Sequence, residues 1–483
     1  MSEELQPTSR PSRSGARLTG DDVQHLVAWY WCLKTLIPGS GVKGITVEAD
    51  NAGNLDDVVV DLDNEGRLYH QVKAAVSAKL LANINWLCEP SGQKRISLLQ
   101  RLHGSWVELG RPPGDISLIT SRPIDPQDLL LQGLDRLNHV GQHLRRTTNE
   151  ELVSLRETLA IHLGCDEGEL CDLFDALELH LGQTEGQWRR KVDDVAMGAG
   201  VRIDDAARGA ALADVRDWIK TTRDPRDARA VAATIDRLGI RAEPPRAVVV
   251  VQALDVEPAQ EDAVMVIDWI AKFRGDQPET RRGLLEPLEW NGALANDLTA
   301  LRTKLREQDQ RRILVRGSLR LPCWFAVGAA LREVAGFDVA MSYANTLWVA
   351  DTAHTSYPEV QVLVDDRTGS GDGVALVVAM STDATDDVRS SIANQADIGR
   401  LVTITVGGGP QRRLLQGPDH AMAAAVAVRD WVRRRLTAPD IHIVLVGPAP
   451  FALFLGHLWD RVPPTTIYED LAPGYEAAFH FRP

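Results

Sequence analysis

The 483-residue chain is short of cysteine, short of basic residues relative to acids, and without an unbroken apolar run. Its five cysteines are Cys32, Cys88, Cys165, Cys171 and Cys323, an odd number. A chain of this size needs no disulfide framework, so a reduced, cytoplasmic protein is expected. The closest pair, in C-D-E-G-E-L-C, has neither a zinc-ligand spacing nor a second pair to complete it. With 53 Lys and Arg against 67 Asp and Glu, the formal charge is −14. That excludes a protein that coats nucleic acid through clustered cations. It still admits a nucleic-acid enzyme, because one basic cleft can sit on an acidic particle. Residues 441–459 carry no Lys, Arg, Asp or Glu, but Gly447-Pro448-Ala449-Pro450 interrupts them. A strand, a turn and a helix start are expected there, and no membrane span. Residues 1–18 are polar, have no apolar signal-peptide core and read as a mobile tail.

The 44% hydrophobic and 25% charged fractions are those of a globular chain, and the length suits about two to four domains. Residues 19–148 mix a helix starting at Thr19-Gly20-Asp21 with β-branched runs at 45–47, 58–60, 69–72 and 116–119. This predicts an α/β domain. Over residues 149–240 strand signals vanish, and leucines such as Leu152, Leu155, Leu159 and Leu163 recur at helical spacing. A helical connector is expected. Beyond Arg241-Ala242-Glu243-Pro244-Pro245, residues 244–483 alternate strands with helices, which implies parallel sheets and Rossmann-like units. Two are expected, at about 244–368 and 374–483, with Gly369-Ser370-Gly371-Asp372-Gly373 between them.

The sharpest chemical signal reads E-A-D-N-A-G-N-L-D-D-V-V-V-D-L-D-N-E-G-R-L-Y-H-Q-V-K over residues 48–73. Two strands flank an Asp63-Asn64-Glu65-Gly66 turn, and period two puts Gln71 and Lys73 on one face. A four-residue loop sets Asp57 opposite Val72 and Asp56 opposite Lys73. A loop one residue longer or shorter sets Asp57 opposite Lys73 or Gln71, so either Asp56 or Asp57 can join Lys73. An acid, a Gln and a Lys on one strand pair suit metal-assisted phosphodiester hydrolysis. Carboxylates hold a hard cation and leave water positions open, and the cation acidifies a bound water.

D-D-V-V-V followed by H-Q-V-K resembles the PD-(D/E)XK nuclease superfamily, in the variant with Gln before x-Lys. The resemblance implies a Mrr-like DNA endonuclease domain at 19–148. In it Asp57 or Asp56, with Gln71, holds Mg²⁺ or Mn²⁺, and Lys73 is catalytic. Glu48 matches an upstream acidic position, and Gln24 a polar position near the metal.

Residues 441–469 include I-H-I-V-L-V-G-P-A-P-F-A-L-F-L-G-H-L-W and T-T-I-Y-E. This resembles the end of a SAVED domain, the sensor of bacterial CBASS anti-phage systems, built from two fused CARF-like Rossmann units. R-G-S-L-R-L-P-C-W-F-A-V-G at 316–328 and L-W-V-A-D at 347–351 fit the first unit. The implied protein is an antiviral effector that a cyclic di- or trinucleotide drives into a homo-oligomer that cuts double-stranded DNA.

The residues themselves suit a nucleotide sensor. Gly447, Pro448 and Ala449 lie between a strand and a helix N-terminus, where backbone N–H groups favour phosphate. Arg316, Gly317 and Ser318 follow a strand in the analogous place, as do Ser381 and Thr382, and Trp348 is a candidate for base stacking. Two other classes stay open: a non-catalytic nucleotide-sensing DNA-binding or scaffold protein, and a Mrr-like restriction enzyme not gated by a nucleotide.

Overall fold

The computed structural model describes residues 13–75, 77, 79–91, 95–112, 115–258, 260–350, 358–392, 395–411 and 414–482. The chain divides into two compact units. One comprises Ser40–Pro244 with the chain up to Leu36, and the other Pro245–Pro483 with Ile37–Gly39. No described helix is long and apolar enough to cross a membrane.

The first unit is built on a six-stranded sheet. Its strands are β1 (Val42–Val47), β2 (Val58–Leu62), β3 (Arg67–Val72), β4 (Ile116–Ile119), β5 (Leu177–His180) and β6 (Arg226–Asp227), in the order β5-β4-β3-β2-β1-β6. β1, β2 and β3 form an antiparallel meander, whereas β3, β4 and β5 run parallel. A parallel step needs a crossover, and helix α2 (Leu98–Glu108) lies within the connection from β3 to β4. Its start is set by a capping box between Ser97 and Gln100. Helix α1 (Arg13–Lys34) buries Leu26, Val27, Trp29 and Leu33 and packs against helix α3 (Glu185–Ala199).

Two expectations fail in this unit. Residues 149–240 are not wholly helical, because β5 and β6 extend the sheet at its two ends. Leu177-Glu178-Leu179-His180 alternates buried and half-buried, but four residues are too few to separate period two from the surrounding leucine stripes. The first helix begins at Arg13, so part of the stretch read as a tail is helical. Residues 1–12 lie outside the described residues.

The second unit holds two sheets. The first takes β7 (Ala247–Gln252), β8 (Met265–Asp268), β9 (Arg312–Arg316), β10 (Asp338–Tyr343) and β11 (Thr346–Val349), in the order β8-β7-β9-β10-β11. All are parallel except β11. The second takes β12 (Val360–Arg367), β13 (Gly373–Ala379), β14 (Ile398–Val406), β15 (Ile441–Val446), β16 (Thr465–Asp470) and β17 (Tyr475–Phe481), in the order β12-β14-β13-β15-β16-β17. Its four central strands are parallel, with antiparallel edges. Strands buried on both faces read as continuous apolar runs, and β7 and β13 are buried at every position.

The boundary between the halves therefore precedes β12 and does not fall after residue 368. β12 is an edge strand: it carries Val360, Val362 and Val364 at period two, but a bulge between Val362 and Val364 and the charged Asp365-Asp366-Arg367 end leave most of its side chains exposed. The helix after β13 is short, Thr385–Ser391, and Ile398 opens β14. Asp351, the last residue of L-W-V-A-D, lies outside the described residues.

One helix from each half closes the core: α4 (Leu321–Ala330) against α6 (Ala449–His457), the latter also packed on α5 (Pro418–Arg435). A Cβ on Gly328 would overlap the Leu453 carbonyl, and one on Gly456 the Phe325 carbonyl. The His457 ring hydrogen-bonds the Leu331 carbonyl across the same seam. Gly328→Ala should therefore destabilise the protein by about 1–3 kcal/mol, the usual range for overpacking. Gly209→Ala, at an exposed helical site with nothing near the new methyl, should gain up to about 1 kcal/mol. Denaturant unfolding of the two variants checks the contrast, and equal effects would refute it.

Candidate functional site

The β2–β3 register pairs Val58 with His70 and Asp61 with Arg67. Continued by one step, it sets Asp57 opposite Gln71, which is the shorter of the loops considered. Local chemistry explains the tight turn. The Leu62 N–H donates to the Gly66 carbonyl at 2.9 Å, Asn64 Oδ1 accepts from the Gly66 N–H at 3.0 Å, and Glu65 is left-handed at φ 67°.

Asp57 is the meeting point. Its Oδ2 accepts from Gln71 Nε2 and from the Val72 N–H at 2.6 Å, with Lys73 Nζ 3.8 Å away. Burial pushes the Asp57 carboxyl up to about 6 although Lys73 and the Val72 N–H pull it down, and the Asp56 and Glu48 carboxylates add to the rise. Asp56 is raised as well, chiefly by burial and then by Glu48, against the pull of Lys73. Glu48 ends β1 in a left-handed conformation, φ 48°, and its Oε1 accepts from Gln24 Nε2 at 2.7 Å. The six expected residues thus form two bonded groups, Gln24 with Glu48 and Asp57 with Gln71 and Lys73. Asp56 is coupled to both by charge.

This oxygen-rich set fits a hard divalent cation. Mg²⁺ takes one or two carboxylates and keeps waters and phosphate oxygens as its other ligands. Carboxylates crowded into a raised-pKa cluster are relieved by positive charge. Asp57 and the Gln71 side-chain oxygen are the candidate holders, with Asp56 beside them. Among the described residues, one trio of His, Cys, Asp or Glu side chains brings its ligand atoms within 4.8 Å of one another: Asp397, Asp440 and His442, in the second unit. Sequence reasoning missed it, and its His442 ring is already bonded, Nε2 to Asp440 at 3.2 Å and Nδ1 to the Tyr468 hydroxyl at 2.8 Å.

In the second unit a cavity of about 430 Å³ opens at the carboxyl ends of β13, β15 and β16. Ser381, Thr382 and Gly447 line it. Pro448 and Ala449 cap and open α6 directly after Gly447. Arg316, Gly317, Ser318 and Trp348 do not line it. Arg316 is buried with its Nη1 3.8 Å from Asp262, and a Cβ on Gly317 would overlap the Val251 carbonyl. The Ser318 carbonyl accepts from the N–H groups of Ala253 and Leu254, both at 3.0 Å. The loop after β9 is thus folded back on the end of β7. Trp348 is a buried side chain, edge-on to Tyr343 and donating to Thr346 Oγ1 at 3.0 Å.

The loop places Arg320 in the cavity wall instead. Its Nε donates to Glu469 Oε1 at 2.5 Å and its Nη2 to the Asp470 carbonyl at 3.2 Å. Burial pushes the Glu469 carboxyl up to about 7, with Arg320 opposing. The sequence did carry a cue. Pro322 is a first-turn proline, which places the helix start, and with it the cap at Arg320, within one or two residues before it.

Residues 295–481 match the SAVED domain. Its description is a SMODS-associated sensor domain fused to various effectors. CD-NTase-associated protein 4 of Enterobacter hormaechei subsp. hoffmannii (strain UCI 50) is 24% identical over 190 residues, 38% of this chain and 37% of that protein. The match thus spans little more than a third of that relative. Similar solved structures include the Acinetobacter baumannii Cap4 SAVED/CARF-domain containing receptor with the cyclic trinucleotide 2'3'3'-cAAA, at 11% identity, 99% coverage of both chains and a TM-score of 0.45. The Moraxella osloensis receptor of the same name is 11% identical, covering 97% of this chain and 100% of its own, with a TM-score of 0.43.

A carboxyl whose folded-state pKa is raised contributes stability below its unfolded pKa and loses it as pH rises through the folded value. For Asp57 that window runs from the ordinary carboxylate value of 3.8 to about 6, a loss of roughly 3 kcal/mol when complete. Asp57→Asn should raise the melting temperature at pH 8, with a gain that shrinks towards pH 5. Thermal unfolding without divalent cations checks this, and a lower melting temperature at pH 8 would count against it.

Proposed function

We propose that this protein is an antiviral effector of the CBASS type, in which a cyclic oligonucleotide bound by the C-terminal sensor activates an N-terminal, Mg²⁺-dependent DNA endonuclease. The observation that carries the reading is the convergence of Asp57, Gln71 and Lys73 on adjacent strands, in a chain whose SAVED match describes sensors fused to effectors.

A bound Mg²⁺ would supply Lewis-acid polarisation of the phosphate and an acidified water. Asp57 and Gln71 would hold it, with Asp56 beside them. Gln24 fixes the Glu48 carboxylate at the cluster's edge. The half-exposed Lys73 ammonium, 3.8 Å from Asp57, can orient the attacking water and offset negative charge growing on the phosphate. The Val72 N–H and the Gln71 amide hold Asp57 in place while that charge develops.

On the sensor side, the ligand acts as an effector. It favours the self-associating form through differential affinity, and DNA cleavage follows from assembly. Weak clefts on several acidic protomers then act together on one duplex. The cavity of Ser381, Thr382, Gly447 and Arg320 is the candidate pocket, at the strand ends where open α/β sheets bind ligands.

Incubation with supercoiled plasmid, Mg²⁺ and a panel of cyclic di- and trinucleotides should give cleavage with a particular ligand alone. Lys73→Ala should lower the rate by about 10²-fold or more. Cleavage without any nucleotide would favour the ungated restriction enzyme, and a fully active Lys73→Ala variant would remove the catalytic assignment.

The Arg320–Glu469 pair adds a pH dependence. Above about pH 7 Glu469 is charged and holds Arg320, and protonation below that value releases it. Affinity for a cyclic trinucleotide should therefore rise between pH 8 and pH 6 in calorimetric titration, because protonation leaves the Arg320 charge uncompensated for the ligand's phosphates, and Glu469→Gln should flatten the profile. An unchanged profile in that variant would exclude the pair from binding.

A further inference from the structure

Beside Lys73 lies a cleft that neither the metal cluster nor the sensor uses. It measures about 380 Å³, and its lining includes Lys73, Trp86, Arg101, Arg122 and Glu89. Three cations against one acid gather here, in a chain whose formal charge is −14. On the other side of Trp86 and Arg122 is a second recess of about 490 Å³, whose lining includes Asn83 and Asn85. Trp86, Arg122 and Glu89 line both cavities, so they form the ridge between them.

The ridge is built, not incidental. The Arg122 guanidinium lies over the Trp86 indole, 4.6 Å from the ring centroid, and its Nη1 donates to the Leu81 carbonyl at 3.2 Å. The backbone of Trp86 is anchored by its helix cap: its main-chain N–H donates to Asn83 Oδ1 at 2.9 Å, and Asn83 Nδ2 donates to Asp125 at 2.9 Å. Arg101, on α2, donates to Ser91 Oγ at 3.1 Å. Arg122 follows the end of β4, and β4 is joined to Lys73 by the Lys73 N–H to the Ile119 carbonyl at 2.8 Å. Adjacent strand ends therefore fix the spacing between the candidate catalytic lysine and the stacked pair.

A planar indole under a planar guanidinium, flanked by cations, suits one chemistry well: a nucleic-acid strand with a base lifted out of its stack. Aromatic rings and Arg planes hold bases of any sequence, and the cations track the phosphates. We propose that this cleft is a nucleotide subsite of the DNA substrate, in which Arg101 takes a phosphate flanking the scissile one and the Trp86–Arg122 ridge supports its unstacked base. The inference rests on the endonuclease reading. Its consequence is a preference for DNA that is mismatched or already open beside the cut, because unstacking a paired base is the larger expense.

The test uses the full-length protein with cyclic triadenylate as the activating probe and Ca²⁺ in place of Mg²⁺. Duplexes carrying one 5-iodouracil, paired or mismatched, are photocrosslinked and the adduct is mapped by mass spectrometry. The expected result is an adduct at Trp86, stronger with the mismatch. Trp86→Ala should weaken DNA affinity about 10-fold, Trp86→Phe should restore most of it, and Arg101→Ala should weaken paired and mismatched DNA alike. In Mg²⁺, wild type should cut mismatched duplex faster, and Trp86→Ala should lose that preference. Wild-type cleavage with no adduct at Trp86 and an unaffected Trp86→Ala variant would overturn the subsite and leave the endonuclease reading intact. An adduct without any cleavage would overturn the endonuclease reading and keep the subsite. If Trp86→Ala does not fold, Trp86→Leu and Arg101→Ala still decide: a retained mismatch preference in Trp86→Leu together with unchanged DNA affinity in Arg101→Ala would overturn the proposal.

Discussion

Two glycines, Gly328 and Gly456, let helices α4 and α6 meet backbone to backbone, and the architecture of the sensor half follows from that contact. Each helix starts at the cavity that lies at the strand ends. α4 begins with Leu321 and Pro322 in the cavity wall, and α6 begins just after Gly447. A seam that admits no side chain cannot slide without breaking many close contacts, because packed interiors are bistable more than they are compliant. The two sheets are therefore held at one separation, and Arg320 of one half reaches Glu469 of the other. A ligand in that cavity would press on a rigid frame, and its binding energy would be transmitted to the unit's outer surface.

The cluster around Asp57 follows a different economy. A well-hydrated carboxylate would be easier to keep ionised, yet this one is buried, bonded by its neighbours and crowded by Glu48 and Asp56. The arrangement stores unfavourable electrostatics in the folded state, which a cation relieves. Sites of this kind are locally inconsistent with stability, as is usual where chemistry is done. The same tension explains why Gln24 and Gln71, two neutral amides, are the direct partners of the acids. An amide orients a carboxylate without cancelling its charge.

How much of this was legible in the sequence depended on range. The α/β alternation was readable because buried parallel strands are unbroken apolar runs, and β7 and β13 stand out as such. The proximity of Asp57, Gln71 and Lys73 was readable because one tight turn relates them. The choice between Asp56 and Asp57 was not, since it hangs on a one-residue difference in loop length. β5 was hidden among leucine-rich helices, and the three valines of β12 give way to Asp365-Asp366-Arg367 within one short, mostly exposed edge strand. At the cavity, the loop after β9 was recognised but its reach was misjudged: Arg316 looked equally suited to bind, yet the fold turns it inward towards Asp262 and turns Arg320 into the wall. Only long-range packing separates two arginines four residues apart.

The order of the first sheet carries a consequence for how the chain is made. β1, near the start, has β2 on one side and β6 on the other, with Gly44 and Ile45 facing Asp227 and Arg226. Every other strand of that sheet lies between these two in sequence. Such distant pairing is slow, because loop-closure entropy is spent before the contacts repay it. On the ribosome, β1 must therefore wait at an open edge until Asp227 has emerged. The sheet that carries the candidate cutting residues is sealed only after nearly all of its unit has been synthesised.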